Sequence, residues 1–324
     1  MAEDAIGRDS RTARCPYAGE DAGACATVAE ALAWGSCSEG EQHVTRIARI
    51  QQHATPDRDA NRARGLQAID RVAAEGARIA CFAELAFYPQ RPADEYNGNV
   101  SDLAEPVPGP TTEAFAAKAR EHEMVIVLNL FERDGERTFD SSPVIDADGS
   151  LLGTTRMVHI TDYPCFHEKG YYTPGDRGAP VYATAHGRIG AAICYDRHYP
   201  EYMRALALGG ADIVFVPQAG ASGEWPDGLY EAELRVAAFQ NGYFTALRNR
   251  VGEETRVTFA GESFACVPDG RVIARAGEGT DEVLVFDTDF AEVECSHARR
   301  LFLRDRRPEL YGEWLGESGA GRMA

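Results

Sequence analysis

The chain reads as an α/β protein with mixed sheets, each covered by helices on one face. Three observations predict this. Strand-like and helix-like segments alternate from residue 43 onward, hairpin signals interrupt the alternation, and 44% of the 324 residues are hydrophobic, enough for the core of one large domain.

Val44 to Ile50 alternates like a strand. After the cap-like Thr55-Pro56-Asp57, residues 57–74 carry apolar side chains at helical spacing, and Arg78 to Phe82 is a short apolar strand, which completes a β-α-β unit. Pro108-Gly109-Pro110 opens a helix over 111–121. Met124 to Leu130 then forms an apolar run whose length and Val/Ile content suit a buried strand. Asp146-Ala147-Asp148-Gly149 joins strands at 143–146 and 151–160. The second half follows the same logic: a hairpin across His186-Gly187, a strand over 188–193, a helix over 200–208 and a strand over 212–216. A helix over 229–240 comes next, then a strand over 243–248, a hairpin at Pro268-Asp269-Gly270 and a last strand over 282–287.

Residues 1–40 lack sustained periodicity and read as a poorly ordered extension; the domain is expected over 41–312 and a tail over 313–324. With 33 basic and 51 acidic side chains the formal charge is −18, and no basic patch offsets it, which excludes nucleic-acid and anionic-membrane partners. Only Lys118 and Lys169 among the basic residues are lysines. The first 40 residues carry charges throughout, so neither a signal peptide nor a membrane helix fits. The eight cysteines, at 15, 25, 37, 81, 165, 194, 266 and 295, are scattered without a Cys-x-x-Cys pair, which argues against a zinc site, Cys15, Cys25 and Cys37 included. Reduced thiols in a cytoplasmic protein are expected.

Two strand ends carry chemistry. Gly190-Ala191-Ala192 makes a slim strand that delivers Cys194 to the point where a helix is about to start, and backbone N–H groups with a helix's positive end favour thiolate there. A buried core cysteine is the plainer alternative. Glu84 closes the strand Cys81-Phe82-Ala83 and is followed by Leu85-Ala86-Phe87-Tyr88. An acid among apolar and aromatic neighbours is tuned toward general-base work, although a partly exposed loop acid would look the same.

Taken together, a strand-end glutamate and a strand-end cysteine resemble the nitrilase superfamily of carbon–nitrogen hydrolases. The resemblance runs from about residue 43 to 312 through Asp59-Ala60-Asn61, Pro106 to Thr112, Glu168-Lys169, Thr173-Pro174-Gly175-Asp176, Cys194 to Glu201, Asn249-Arg250-Val251-Gly252 and Arg306 to Tyr311. The texts around Cys194 and Arg306 are most similar to the branch acting on N-carbamoyl compounds. The resemblance implies an αββα sandwich of two mixed sheets, a Glu-Lys-Cys triad with a second glutamate, an acyl-enzyme resolved by water, no metal or organic cofactor, a small linear amide or N-carbamoyl substrate, and a homodimer or larger homo-oligomer. Carried over by motif, Cys194 is the nucleophile, Glu84 the base and Glu168 the second glutamate. Tyr195, Arg197, His198 and Lys169 are candidate substrate contacts, with Arg197 and His198 alternatively pairing with Asp196 or Glu201.

The sequence breaks the pattern at one position. Where relatives read Gly-x-x-Arg-Lys-x-His-Ile, this chain reads Gly153-Thr154-Thr155-Arg156-Met157-Val158-His159-Ile160, so Met157 occupies the lysine position. Three readings follow: Arg156 lends its charge, Lys169 or Arg197 reaches in from another loop, or the site runs altered chemistry or none. Smaller departures are Asp140, where relatives commonly carry asparagine, and Cys165, commonly glycine, which lines the pocket or fills a small apolar space. Gly220-Ala221-Ser222-Gly223 and Gly277-Glu278-Gly279 fail as a serine elbow and a dinucleotide loop. The expected function is a thiol-dependent carbon–nitrogen hydrolase with atypical chemistry; acyl transfer to an amine, or a non-catalytic binding protein on the same fold, are the alternatives.

Overall fold

The structure, a computed structural model, describes residues 44–88, 100–254 and 257–315. The extension expected over 1–40 lies outside the described residues, as does most of the tail. Strand β1 (Val44–Gln51) leads to helix α1 (Arg58–Ala74), whose cap Asp57 accepts the Ala60 amide at 2.9 Å. Strand β2 (Ile79–Phe82), helix α2 (Pro110–His122) and strand β3 (Val125–Val127) follow. Then come β4 (Leu130–Asp134), β5 (Arg137–Ile145), β6 (Leu151–Arg156) and a small hairpin of β7 (Asp162–Tyr163) and β8 (Phe166–His167).

The second half runs β9 (Val181–Thr184), β10 (Gly187–Ala191), α3 (Pro200–Leu208), β11 (Ile213–Gln218), α4 (Leu229–Asn241) and β12 (Phe244–Asn249). It continues through β13 (Val251–Glu253), β14 (Thr258–Ala260), β15 (Phe264–Cys266), β16 (Val272–Arg275), β17 (Glu282–Asp289), α5 (Ala291–Cys295) and α6 (Pro308–Leu315).

Two mixed sheets result. One has the order β17-β1-β2-β3-β5-β4 with β6 also on β5; the other has the order β16-β15-β12-β11-β10-β9. In each, three neighbouring strands are parallel (β1, β2, β3 and β10, β11, β12) and the flanks are antiparallel. Alternation along the strands sorts their side chains into three apolar layers. Ala80, Phe82 and Ile126 face Ile69, Val72 and Phe115 of the helices. Ile79, Val125 and Val127 of the first sheet meet Ile213, Phe215 and Phe244 of the second. Val214, Val216 and Leu247 pack on Leu206, Leu234 and Ala238. This is the αββα sandwich.

Several elements differ from the sequence expectation for identifiable reasons. The apolar run 124–130 is two strands, because the chain breaks at Leu128-Asn129 to put the Asn129 side chain to other use. The strand expected at 143–146 begins at Arg137, since its Asp140-Ser141-Ser142-Pro143 stretch has poor strand propensity but is buried and paired on both sides. The strand expected to reach residue 160 stops at Arg156. No described helix is long and apolar enough to cross a membrane. Cys295 is disulfide-bonded, against the expectation of reduced thiols throughout; scattered spacing does not tell which thiols meet.

Candidate active site

Cys194 follows β10 and has φ +45°, a left-handed backbone that a side chain adopts only when its surroundings hold it there. The expected helix does not begin beside it. A five-residue 3-10 turn, Cys194–His198, intervenes, and α3 starts six residues on, so its positive end is too distant to act on the thiol. The Cys194 carbonyl accepts the Arg197 guanidinium at 2.9 Å. Cys194 is 6% exposed and belongs to the apolar cluster that includes Leu85, Met157 and Tyr172.

Glu84 is fully buried just past β2, and Leu85 beside it has φ +48°. Two side chains hold this second sharp turn. Asn129, from the break between β3 and β4, accepts the Leu85 amide at 2.7 Å while donating to Asp140 at 2.6 Å. Arg250 reaches across from the second sheet to the carbonyls of Leu85 and Tyr88 at 2.7 and 2.6 Å. Both holders come from distant sequence, so only the motif text around Arg250 hinted at them.

Met157 and Asp140 are cross-strand neighbours. Ser141 pairs with Arg156, and the next rung is a Met157 amide to Asp140 carbonyl hydrogen bond of 2.9 Å, so the two side chains share a face. Arg156 points to the other face, where Glu132 takes it at 2.6 and 2.9 Å and Asp134 and Asp176 at 2.9 and 3.0 Å. It has no charge to lend the pocket. The residues after Met157 are tied to the cysteine turn by Asp196, which accepts the Val158 amide at 3.2 Å, the His159 amide at 2.9 Å and His159 Nδ1 at 2.7 Å. Residue 157 is thereby fixed beside the turn that carries Cys194.

Glu168 is 1% exposed at the start of a 3-10 turn, Glu168–Gly170, whereas Lys169 beside it is exposed and forms no ion pair among the described residues. Asp140, Glu84 and Glu168 lie close enough together that each acts on the neighbouring Tyr172 phenol, which burial first of all holds well above its usual range. Asp140 was visible in the sequence as a departure, but nothing in its position marked it as part of the site.

Arg197 is buried, yet it pairs with neither Asp196 nor Glu201. Its Nε meets Glu233 at 3.2 Å, one Nη meets Gln218 Oε1 at 2.6 Å, and the guanidinium lies over the Tyr230 ring. His198 also goes to Glu233, at 2.6 Å. Tyr195, half-buried, stands against His198, Tyr163 and Tyr199. Glu224, which the sequence reading missed, binds Tyr163, Tyr230 at 2.6 Å and the Ala221 amide at 2.8 Å. Burial and Glu224 raise both phenols, and the Cys194 thiol adds to that in each case. Tyr163 and Tyr230 therefore stay protonated, each with its hydroxyl donating to Glu224. Cys165 is exposed with φ +70°, so it is not an apolar filler; the backbone there is one that favours glycine. Asp70, Glu121 and His122 bring three ligand atoms together on the outer helices, but Lys118 already donates to Asp70 and Glu121 at 2.6 and 2.9 Å, and its ammonium repels a cation.

Comparison with known proteins agrees with this architecture. A family model for carbon–nitrogen hydrolase matches residues 46–297. An N-carbamoylputrescine amidase of Solanum lycopersicum is 33% identical over 297 residues, covering 86% of this chain and 98% of that one. A carbon–nitrogen hydrolase of Helicobacter pylori superposes with a TM-score of 0.79 at 29% identity, over 85% of this chain and 99% of the other. An amidase of Nesterenkonia sp. AN1, in a mutant form showing Michael addition of acrylamide at its active-site cysteine, gives 0.70 at 25% identity over 83% and 99%. The sandwich, the family match along 46–297 and these relatives together establish that the chain belongs to the carbon–nitrogen hydrolase family.

Proposed function

We propose that the protein hydrolyses a small linear amide or N-carbamoyl compound through an acyl-enzyme on Cys194. The observation that supports the reading is that Cys194, on a left-handed turn, shares an apolar cluster with Tyr172, and that the buried Glu84 and Glu168 both act on the Tyr172 phenol. Sγ attacks the carbonyl carbon after Glu84 takes its proton. The same carboxyl returns the proton to the departing nitrogen, and Glu168 orients the water that cleaves the thioester. Tyr195 and His198 form the aromatic wall at the cysteine turn, and Lys169 is the exposed cation nearest to Glu168 in sequence. Arg197 holds the Cys194 carbonyl and so orients the nucleophile; it is not free to take a substrate carboxylate while Glu233 and Gln218 occupy it.

Assembly into a homodimer or larger oligomer is part of the proposal. Exposed Leu208 on α3, Val236 and Phe239 on α4, and Phe302 give the outer helices an apolar surface suited to it. Light scattering reads the state directly. For the chemistry, intact-protein mass spectrometry after incubation with a panel of simple amides and N-carbamoyl compounds is decisive, with Cys194→Ala as control. A mass increase confined to Cys194 that decays in water supports the hydrolase. An adduct that is stable in water and discharged by an added amine replaces it with acyl transfer, and no adduct across the panel defeats the nucleophile assignment.

A further inference from the structure

Four aromatic side chains close a ring beside the cysteine turn. Centroid to centroid, Tyr163 lies 6.4 Å from Tyr195, Tyr195 lies 5.2 Å from His198, His198 lies 5.5 Å from Trp225, and Trp225 lies 6.0 Å from Tyr163. The rings come from three separate segments: β7, the 3-10 turn that begins at Cys194, and the stretch between β11 and α4. Each plane is inclined to the next by 49° to 73°, as the walls of a box are and stacked rings are not. A group centred in a ring of this spacing is about 4 Å from every centroid, inside the reach of a cation–π contact.

Packing into the core does not account for the arrangement. All four rings are half-buried, and none of them belongs to the three apolar layers of the sandwich. Two carboxylates stand behind them. Glu224, next to Trp225 in the chain, accepts the Tyr163 hydroxyl, the Tyr230 hydroxyl at 2.6 Å and the Ala221 amide at 2.8 Å. None of these three donors carries a positive charge to cancel that of the carboxylate. Glu233 takes His198 at 2.6 Å and Arg197 at 3.2 Å. The π faces and Glu224 attract a cation, but the oxygens of both acids are already engaged. A primary ammonium leaving water asks for three hydrogen-bond acceptors, whereas a fully methylated nitrogen asks for none.

We propose that Tyr163, Tyr195, His198 and Trp225 form a cage for a quaternary ammonium group, and that the substrate cleaved at Cys194 is an amide or N-carbamoyl compound carrying such a group a few bonds from the scissile carbonyl. This rests on the reading of Cys194 as the nucleophile. Tyr195 adjoins Cys194 in the chain, and the Cys194 thiol acts on the Tyr163 phenol, so the cage stands next to the reacting sulfur.

Three iodoacetamides that differ only at the end of an N-ethyl tail read the cage. One tail ends in trimethylammonium, the second in tert-butyl, which copies its shape without charge, and the third in a primary ammonium, which keeps the charge without the methyl groups. Each alkylates Sγ with loss of iodide. Rates at Cys194 in the full chain are followed by peptide mapping at pH 8, where free imidazoles are uncharged. Taking each rate relative to plain iodoacetamide removes differences in thiol reactivity. The trimethylammonium reagent is expected to label about tenfold faster than its tert-butyl copy, and several-fold faster than the primary ammonium. Trp225→Leu keeps an apolar side chain but has no π face, and should bring both preferences down toward one; Trp225→Phe should retain part of them. Calorimetric titration of Cys194→Ala with tetramethylammonium gives a reading independent of labelling, with binding expected there and lost when Trp225→Leu is added.

Equal rates for the trimethylammonium and tert-butyl reagents overturn the inference. So do equal rates for the two cationic reagents, which would assign the preference to the acidic surface of the chain, and an undiminished preference in a folded Trp225→Leu. In each of these cases labelling by plain iodoacetamide leaves the nucleophile assignment standing. Failure of all four reagents at Cys194 in the folded wild type removes that assignment, and the titration with tetramethylammonium then decides the cage by itself: absence of binding overturns it.

Discussion

Two regions of this molecule bury like charges, and they resolve the problem in different ways. In the pocket, Asp140 is fully buried beside Glu84, and burial with the Glu84 carboxylate pushes it well above the usual carboxylate range, where it can hold a proton. Between the sheets, Arg49 of β1 and Arg248 of β12 project into the apolar layer two residues after Ile47 and Ala246 respectively, and both are fully buried. Arg49 has no hydrogen-bond partner at any of its three nitrogens among the described residues, and Arg248 reaches only its neighbour's carbonyl, at 2.9 Å. Each guanidinium rests over a phenyl ring instead, Arg49 on Phe286 at 5.3 Å and Arg248 on Phe215 at 5.4 Å. Burial lowers both, and the two repel each other, yet Arg248 comes down only to about 9 and so stays charged at neutral pH. A carboxyl can discard its charge near neutrality and a guanidinium cannot, so the first region is suited to proton chemistry and the second is a fixed cost to the fold.

The largest test of this contrast supplies the pocket with a cation. Met157→Lys is expected to raise hydrolysis of simple amides and N-carbamoyl compounds by about 10²–10³, because the ammonium would point to where the oxyanion forms. The neighbouring acids offset its burial, so the variant should fold. Ammonia release from wild type and variant, with Cys194→Ala as background, measures it. Efficient turnover by the wild type with no change in Met157→Lys would mean that another group already supplies the charge, and the contrast would fail at the pocket.

Arg248→Met tests the other region. Removing one uncompensated buried charge and its repulsion of Arg49 should stabilise the fold by about 1–4 kcal/mol, read from chemical denaturation. A loss of stability instead would mean that a bound anion or ordered water satisfies the pair, and that this region too is neutralised.

The smallest effect is in the pH dependence. Asp140 is raised in the folded state, so its contribution to stability is complete below the ordinary carboxylate range and shrinks as pH rises toward the folded value. Asp140→Asn lacks this loss. Its stability relative to wild type should therefore grow with pH, by about 1.4 kcal/mol per unit within the window. Arg248→Met should show no comparable slope below pH 8. Melting curves of the three proteins between pH 4 and 8 give the comparison, and parallel slopes for wild type and Asp140→Asn would remove the proton from the pocket.

Local pattern made the layers and both strand ends legible. Glu84 and Cys194 stood out because an apolar run stops abruptly at a polar or reactive residue, which is a property of contiguous sequence. Asn129 did not stand out, because its work is to bridge Leu85 and Asp140, and no window contains all three. Asp140 lay in a stretch whose Ser, Ser and Pro read as a poor strand, so its burial, supplied by β4 and β6 on either side, was invisible. Arg197 showed the same limit: the acids near it in sequence were the natural partners, while the fold brings Glu233 from another helix.

The Asp196 clamp acts on backbone amides and on His159, and it takes no account of which side chain residue 157 carries. The position behaves as a socket whose contact can be exchanged without disturbing the mounting. Lysine and methionine codons of the forms AAG and AUG differ by one base, so a single point mutation exchanges an ammonium for a thioether at a site where the backbone is already set. The two chemistries are adjacent in sequence space, and a lineage can pass between them in either direction without an unfolded intermediate.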